Sequence, residues 1–407
     1  MKATQDRVAP SSVEAVSEVV GACDRAGEKI SIEGGKTLEG MSLPPERVDV
    51  TLDVTALSGI VANERADLTL ALRAGTPLQH VATALAAQGM FVPFDAPHPF
   101  YATVGGTLAA GWAGPRRHLY GRPRDYLIGS TIVLADGTVA RAGGMVVKNV
   151  AGYDMSRLYV GSFGTLGVLV QANFKTIPLP AHARCFLAPL PERTRGRAAA
   201  QLAGLAIRPS AAFIVAGFES AVDGDDGDEG RVFALFEGSD ALLERATLEV
   251  RSALGRAGVP ETRIVDAGAR ASFERVVDAY VATLGDRSVT YALFALPAEP
   301  ERIALDVAEL AAHHGLRAES IADVMNGDLI VRVSGADALA FGAKIESFDE
   351  ALHEARPRAR VLASEHSHRA SLDVWGEAPA AIAQMKALKQ RFDPHRTLNP
   401  GRFVGGI

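Results

Sequence analysis

The chain has 407 residues, of which 48% are hydrophobic and 22% charged, and its net charge is −6. One hydrophobic core stops growing at about 250–300 residues, so two domains are expected. An acidic total without a long Lys/Arg run argues against nucleic acid as a partner, because binding a phosphate backbone needs clustered cations.

Two cysteines, Cys23 and Cys185, make neither a disulfide framework nor an Fe–S or zinc ligand set, and they suit a reducing, cytoplasmic setting. The N-terminal stretch MKATQDRVAPSSVEAV has no apolar core of signal-peptide length. No apolar run reaches the ~18 residues that a bilayer span requires, so none is expected.

In chain order, residues 11–26 read as an amphipathic helix with Val13, Val16, Val19, Val20 and Cys23 on one face. Ser11 and Glu14 have capping-box spacing, and Gly27 is a stop signal. A strand over 29–33 leads into Gly34-Gly35-Lys36-Thr37, and further strands are read at 50–54 and 68–72. Thr76-Pro77 opens a helix that ends at Gly89. The side-chain-poor stretch from Ala102 to Gly111 follows. Residues 128–135 and Val139 flank an Asp136-Gly137 hairpin turn. The block closes with the glycine-rich 161–167 segment, a strand over 168–174, and Pro178 and Pro180.

From residue 181 the element order repeats. Strand 184–190, helix 192–206, strands 212–218 and 231–237, helix 240–257 and strand 262–266 form one unit. Strand 289–296, helix 300–314, strands 317–322 and 328–333, helix 337–355 and strand 359–363 form the next. Each is a ferredoxin-like β-α-β-β-α-β unit, and two can join in one antiparallel sheet covered by helices. The acidic segment Asp223 to Glu229 reads as a solvated loop, since the EF-hand ligand series is absent. The expected fold class is α+β: a two-part first domain of mixed sheets with helices (1–180), a cap domain (181–376), and a C-terminal helix and tail (377–407) returning to the first domain.

The chemistry is expected in the glycine loops. Gly105 and Gly106 lack Cβ atoms, so main-chain amides can approach an anion, and a helix start there favours phosphate. A lone Gly-Gly is weak evidence, but Gly34-Gly35, Gly105-Gly106, Gly152 and the 161–167 loop recur in order. No G-x-G-x-x-G lies between a first strand and helix, and no P-loop motif occurs, so nicotinamide-type Rossmann binding and ATP hydrolysis both recede.

The phrases GGKT (34–37), AGTPLQHV (74–81), ATVGGTLAAGWAG (102–114), GRPRDYLIGSTIVLADG (121–137), GYDMSRLYVGSFGTLGV (152–168) and FDPHRTLNPGR (392–402) resemble the FAD-binding domain of the vanillyl-alcohol oxidase and para-cresol methylhydroxylase superfamily. The resemblance covers the N-terminal domain and the tail, and the repeat between them suits that superfamily's cap. It implies FAD, held non-covalently because Glu33-Gly34-Gly35-Lys36 has no histidine for a tether. It further implies that Gly34, Gly35, Lys36, Thr37, Thr103, Val104, Gly105 and Gly106 form a diphosphate cradle. Gly111 would pass the flavin. Gly161, Gly164, Gly167 and Val168 would line the adenosine side, and Asn399 would approach the isoalloxazine.

Within the superfamily, the phrases are most similar to the smaller FAD-binding subunits of bacterial glycolate oxidases. That similarity implies a catalytic FAD subunit and an Fe–S subunit as partners, a small 2-hydroxy acid (glycolate or D-lactate) as substrate, and a cytoplasmic location with membrane attachment only through partners. Catalytic relatives carry an H-x-G-D-G-N-x-H metal site. Here Met325-Asn326-Gly327-Asp328-Leu329-Ile330 has no histidine, so no metal is expected. Ser364-Glu365-His366 matches a later Glu-His pair, which leaves open a self-sufficient dehydrogenase with His366, beside Glu365, as general base. Phe163 stands where those relatives often have Glu. Lys148, Arg116, Arg117, Arg122 and Arg124 are the cations nearest the cofactor loops and candidates for phosphate or carboxylate.

Overall fold

The computed structural model describes residues 6–145, 153–218, 221–222, 230–259, 261–296 and 299–407, with only the backbone of His366. Lys148, Gly152 and the acidic segment 223–229 lie outside the described residues. The fold is α+β, in two units. One comprises residues 1–113, 122–179 and 378–407, and the other residues 114–121 with 180–377.

The first unit holds two principal sheets. Strands β1 (Asp6–Val8), β2 (Ile30–Glu33) and β3 (Val50–Asp53) are parallel in the order β1-β3-β2. The others are β4 (Ile60–Glu64), β5 (Thr69–Arg73), β6 (Met90–Phe91), β7 (Leu127–Val133), β8 (Val139–Gly143), β9 (Val168–Lys175) and β10 (Ile177–Pro178). Five of these make an antiparallel sheet, β4-β5-β9-β7-β8, and β6 pairs with β10.

Helix α1 (Val13–Ala26) starts at Ser12 rather than Ser11: the Ser12 hydroxyl accepts from the Ala15 amide at 3.1 Å. It stops at Gly27 in the left-handed region. Its apolar face, Val13, Val16, Val20 and Cys23, shares one core with Ile30 and Leu52 of the parallel sheet and with Val133, Val168 and Val170 of the antiparallel sheet. Each such side chain contributes roughly 1.5–3 kcal/mol on burial. Gly21 lets α1 meet the hairpin turn, since a Cβ there would lie 3.1 Å from the Asp136 carbonyl. Helices α2 (Leu78–Ala86) and α3 (Val104–Ala110) also belong to this unit.

The second unit is built on one eight-stranded antiparallel sheet. Its elements are β11 (His182–Leu190), α4 (Glu192–Ala203), β12 (Ala211–Ala216), β13 (Gly230–Gly238), α5 (Asp240–Ala257), β14 (Arg263–Val265), α6 (Ala269–Ala279), β15 (Ser288–Phe294), α7 (Pro300–His313), β16 (Arg317–Asp323), β17 (Asp328–Ser334), α8 (Ala338–Ala355) and β18 (Arg360–Ser364). The order β14-β11-β13-β12-β16-β17-β15-β18 is two ferredoxin-like halves joined through their second strands, with Phe213 opposite Asp323 and Val215 opposite Ile321. The fully buried aromatics Phe186, Phe213, Phe233, Phe236, Tyr291, Phe341 and Phe348 form its interior. Helix α6, between the repeats, is an addition to the expected order.

The C-terminal helix α9 (Ile382–Phe392) begins five residues later than its expected start at 377 and belongs to the first unit. After it the chain runs beside β2: Ile30 donates to Thr397 at 2.7 Å and Asn399 donates back to Ile30 at 2.9 Å, a parallel bridge that adds Leu398 to the parallel sheet's core.

Candidate functional site

A groove open to solvent lies in the first unit. It draws residues from the stretches 31–45, 103–110, 159–169 and 399–402, together with Val54. Gly34, Gly35, Lys36, Thr37, Thr103, Gly105, Gly106, Gly164, Gly167, Val168 and Asn399 all line it. The first two glycine loops are in direct contact. A Cβ on Gly34 would lie 2.6 Å from the Thr103 hydroxyl, and one on Gly35 would overlap the Tyr101 carbonyl.

The groove's anion-binding potential lies in the first loop. After β2 the chain turns, with Lys36 at a φ of 60°. Among the described residues, the amides of Gly34, Gly35, Lys36 and Thr37 find no acceptor within the protein. Four consecutive unpaired N–H groups lining one groove form a concavity that favours an anion. Lys36 adds a cation, held 2.7 Å from Glu33, which also pairs with Arg7 at 2.7 Å.

The expectation that the start of α3 offers free amides is corrected. Val104 donates to Thr76 at 3.0 Å, Gly105 to Ala74 at 2.7 Å, and Gly106 to the capping Thr103 hydroxyl at 3.2 Å. Gly105 is glycine for packing, because its Cβ would lie 2.8 Å from that of Ala74. At Gly106 the only near neighbour of an added Cβ is the Thr103 hydroxyl, at 3.0 Å, so packing demands less there. Helix α3 still leaves one signal for a ligand: the Thr107 hydroxyl, on a groove-lining residue only 2% exposed, has no hydrogen-bond partner.

Three expected site residues fall outside the lining. Val104 is fully buried. Gly111 is the left-handed cap of α3 and packs against Gly161, whose Cα a Cβ on Gly111 would approach to 2.8 Å. Gly161 itself donates to the Leu108 carbonyl at 2.9 Å. These two glycines let the third loop cross the end of α3, where Phe163 donates to Ala109 at 2.8 Å.

Asn399 lines the groove, but its side chain is committed within the protein. Its carbonyl accepts from the Ile32 amide at 2.9 Å and its NH2 donates to the Phe163 carbonyl at 2.7 Å. It therefore ties the end of β2 to the third loop rather than offering a free amide to a ring. Its φ of 43° is one that Asn tolerates better than most residues. Arg402 is a lining residue that the motif reading missed; it donates to Ser42 at 2.9 Å.

The arginines of 114–124 are not in the groove. Arg116 and Arg117 belong to the second unit, where Arg116 pairs with the buried Glu237 at 3.0 Å and Arg117 with Asp328 at 2.7 Å. Glu237 also receives Arg270 at 3.2 Å and the Tyr120 hydroxyl at 3.2 Å. Burial opposes its ionisation, but Arg116 and Arg270 outweigh that and hold its pKa below the usual value.

The Asn326 side chain donates to Asp323 and to the Pro115 carbonyl, both at 2.7 Å, so the histidine-free 325–328 turn anchors the 114–121 strap. Asp323 is fully buried; burial first, then nearby Asp328, pushes its pKa up to about 7. Arg124 sits 3.8 Å from Asp125. Glu365 is exposed at the start of the turn 366–369, and the side chain of His366 lies outside what is described. Among the described residues no cluster of three or more metal-binding side chains occurs, and no helix is long and apolar enough to cross a membrane.

Residues 5–154 match the family of FAD binding domains. The chain is 47% identical over 131 residues to the glycolate oxidase subunit GlcE of Escherichia coli strain K12, covering 32% of this chain and 37% of that protein. It is 34% identical over 182 residues to the glycolate oxidase subunit GlcD of Bacillus subtilis strain 168, covering 44% and 38%. It thus spans less than two fifths of the length of either relative. In structure it is similar to p-cresol methylhydroxylase, with a TM-score of 0.71 and 17% identity over 97% of this chain and 88% of that one. An alkyldihydroxyacetonephosphate synthase gives 0.70 and 17%, covering 97% and 75%.

The fold and the groove define a flavoprotein with an FAD-binding domain followed by an α+β unit. Residues 5–154 are matched as an FAD binding domain and the cofactor is FAD, while the likeness to p-cresol methylhydroxylase is one of fold. The groove fits that cofactor: its unpaired amides suit a diphosphate, and the buried Thr107 hydroxyl lacks a partner.

Proposed function

We propose that this chain is the FAD-binding subunit of a complex that oxidises a small 2-hydroxy acid, glycolate or D-lactate, to the 2-oxo acid. Electrons would pass to a partner Fe–S subunit beside a separate catalytic FAD subunit. The observation that carries the cofactor role is the run of unpaired amides from Gly34 to Thr37 in a groove shared with Thr103 and Gly106. The similarity to two glycolate oxidase subunits supports the substrate class.

In this reading the 34–37 amides and Lys36 hold the diphosphate, and Lys36 exchanges part of its pairing with Glu33 for the phosphate charge. Gly106 and Thr107 border the same ligand. Phe163, Gly164, Gly167 and Val168 form the opposite wall and keep water from it. Bound FAD supplies a two-electron acceptor for hydride. The missing metal-site histidines in 325–330 favour a role beside a catalytic subunit over self-sufficient turnover.

An absorption spectrum of the purified chain, followed by anaerobic titration with glycolate and D-lactate, tests the proposal. We expect a flavin spectrum with slow bleaching by either acid. Colourless protein that takes up no FAD would overturn the cofactor role. Rapid turnover of the isolated chain with a dye acceptor would overturn the subunit role.

A further inference from the structure

Lys389 lies outside the groove, on α9, yet it holds two of the groove's walls. Its side chain is 6% exposed and its ammonium has three partners: the Asp393 carboxylate at 2.6 Å, the Thr165 carbonyl at 2.8 Å and the Leu398 carbonyl at 2.9 Å. Thr165 belongs to the loop that puts Phe163 and Gly164 in the groove, and Leu398 precedes Asn399. Asp393 is fully buried and its two oxygens also accept from the amides of Thr397 and Leu398, each at 2.8 Å. A lysine has three protons to donate, and all three are used here. A buried lysine and carboxylate in the low-dielectric interior are costly unless fully paired, so this pair tolerates only a narrow geometry.

We infer that Lys389 is a positioning residue for the cofactor groove: the Lys389–Asp393 pair locks the 163–167 loop and the 397–399 segment into one wall that FAD binding requires. The inference rests on the FAD reading of the groove, and it gives the tail a function apart from any contact with the flavin. Asn399 repeats the link one layer nearer the ligand, through Phe163 and Ile32.

The test uses the full chain. In wild-type protein without added FAD, amides of 163–167 and of 397–399 should exchange with solvent hydrogen in a single opening event, with protection within about threefold of each other. Independent exchange of the two segments would overturn the inference, whether or not the chain takes up FAD. Lys389→Met keeps the apolar stem but removes every donor, and Asp393→Asn removes the charge while keeping one acceptor. Either variant, if folded by circular dichroism, should bind FAD at least about tenfold more weakly. Both should also lose exchange protection in the two segments alone, with β11–β18 unchanged. Wild-type affinity in a folded variant would reject the inference. Failure of wild-type protein to bind FAD would instead reject the cofactor reading, because the exchange measurement requires no cofactor.

Discussion

The side-chain amide of Asn399 donates to the main-chain carbonyl of Phe163 at 2.7 Å, across 236 residues of sequence, while its oxygen accepts from Ile32. One planar amide thereby matches an N–H on one wall of the groove to a C=O on the other. Asn399→Asp retains the acceptor but turns an anion toward the Phe163 carbonyl, so it should be worse than Asn399→Ala, although Ala also fits poorly at a φ of 43°. We expect losses of about 1–3 kcal/mol for Ala and more for Asp, from broken hydrogen bonds to buried partners. Denaturant unfolding would show the order, and an aspartate variant as stable as wild type would refute it.

Three glycines of the groove separate packing from ligand access. Gly35→Ala drives a methyl into the Tyr101 carbonyl and should be severely destabilising. Gly105→Ala meets the Ala74 Cβ at 2.8 Å and the Ala74 carbonyl at 3.1 Å, so the backbone must move there too, but the overlap is smaller than at Gly35 and should cost less. Gly106→Ala sits in a helix, where Ala is intrinsically favoured over Gly by up to about 1 kcal/mol. Its melting temperature should match or exceed wild type while FAD affinity falls. Thermal unfolding together with flavin titration separates these outcomes; a Gly106→Ala protein with unchanged affinity would show that the position does not border the cofactor.

His353 links stability to alkaline pH. Burial lowers its pKa, but the hydrogen bonds and charge of Asp349 win, raising it to about 9; Asp349 also accepts from the buried Tyr291 hydroxyl at 3.1 Å. The folded state therefore holds a proton that the unfolded chain releases near its ordinary value of about 6.5. The stabilisation is complete below pH 6.5 and disappears as pH rises through 9. Unfolding free energy measured between pH 6 and 10 should fall across this window in wild type and stay flatter in His353→Gln. Parallel profiles would exclude the linkage.

Much of this architecture can be read from local pattern, and the failures have a common cause. The second unit's strands and helices follow apolar periodicity, so all eight strands are expected within a few residues of where they lie. Helix α6 has the same signal in Phe273, Val276 and Val277, but the fixed β-α-β-β-α-β template leaves no place for it. In the first unit the groove loops are visible because Gly34, Gly35, Gly105 and Gly106 lack side chains. The role of each glycine is not, since that depends on neighbours such as Tyr101 and Ala74. Nor can Lys389 be distinguished by pattern from a solvated helix lysine. Its acceptor Thr165 is 224 residues away, and burial of a charge is a property of the assembled core. Arg116 and Arg117 reverse that case: they look like free cations near a phosphate site, yet the buried Glu237 and the half-buried Asp328 claim them.

Asp323 gives a second pH dependence, in a different window. Burial, reinforced by Asp328, raises its pKa from 3.8 to about 7, despite donation from Asn326 and the charge of Arg117. Because the folded value exceeds the unfolded one, the folded state binds the extra proton between these limits. Its stabilisation is fully present below pH 3.8 and is lost as pH rises through 7. The carboxyl accepts from the Met325 and Asn326 amides at 3.0 and 3.1 Å, and Asn326 grips the Pro115 carbonyl; an ionised Asp323 repels Asp328, the partner of Arg117, so ionisation loads the contacts that anchor residues 114–121. Exchange of the 114–121 amides should therefore quicken between pH 5 and 8 by more than the intrinsic base dependence predicts. Asp323→Asn, neutral at every pH, should remove that excess even though it loses an acceptor and lowers stability overall. An excess that persists in the variant would place the titrating group elsewhere.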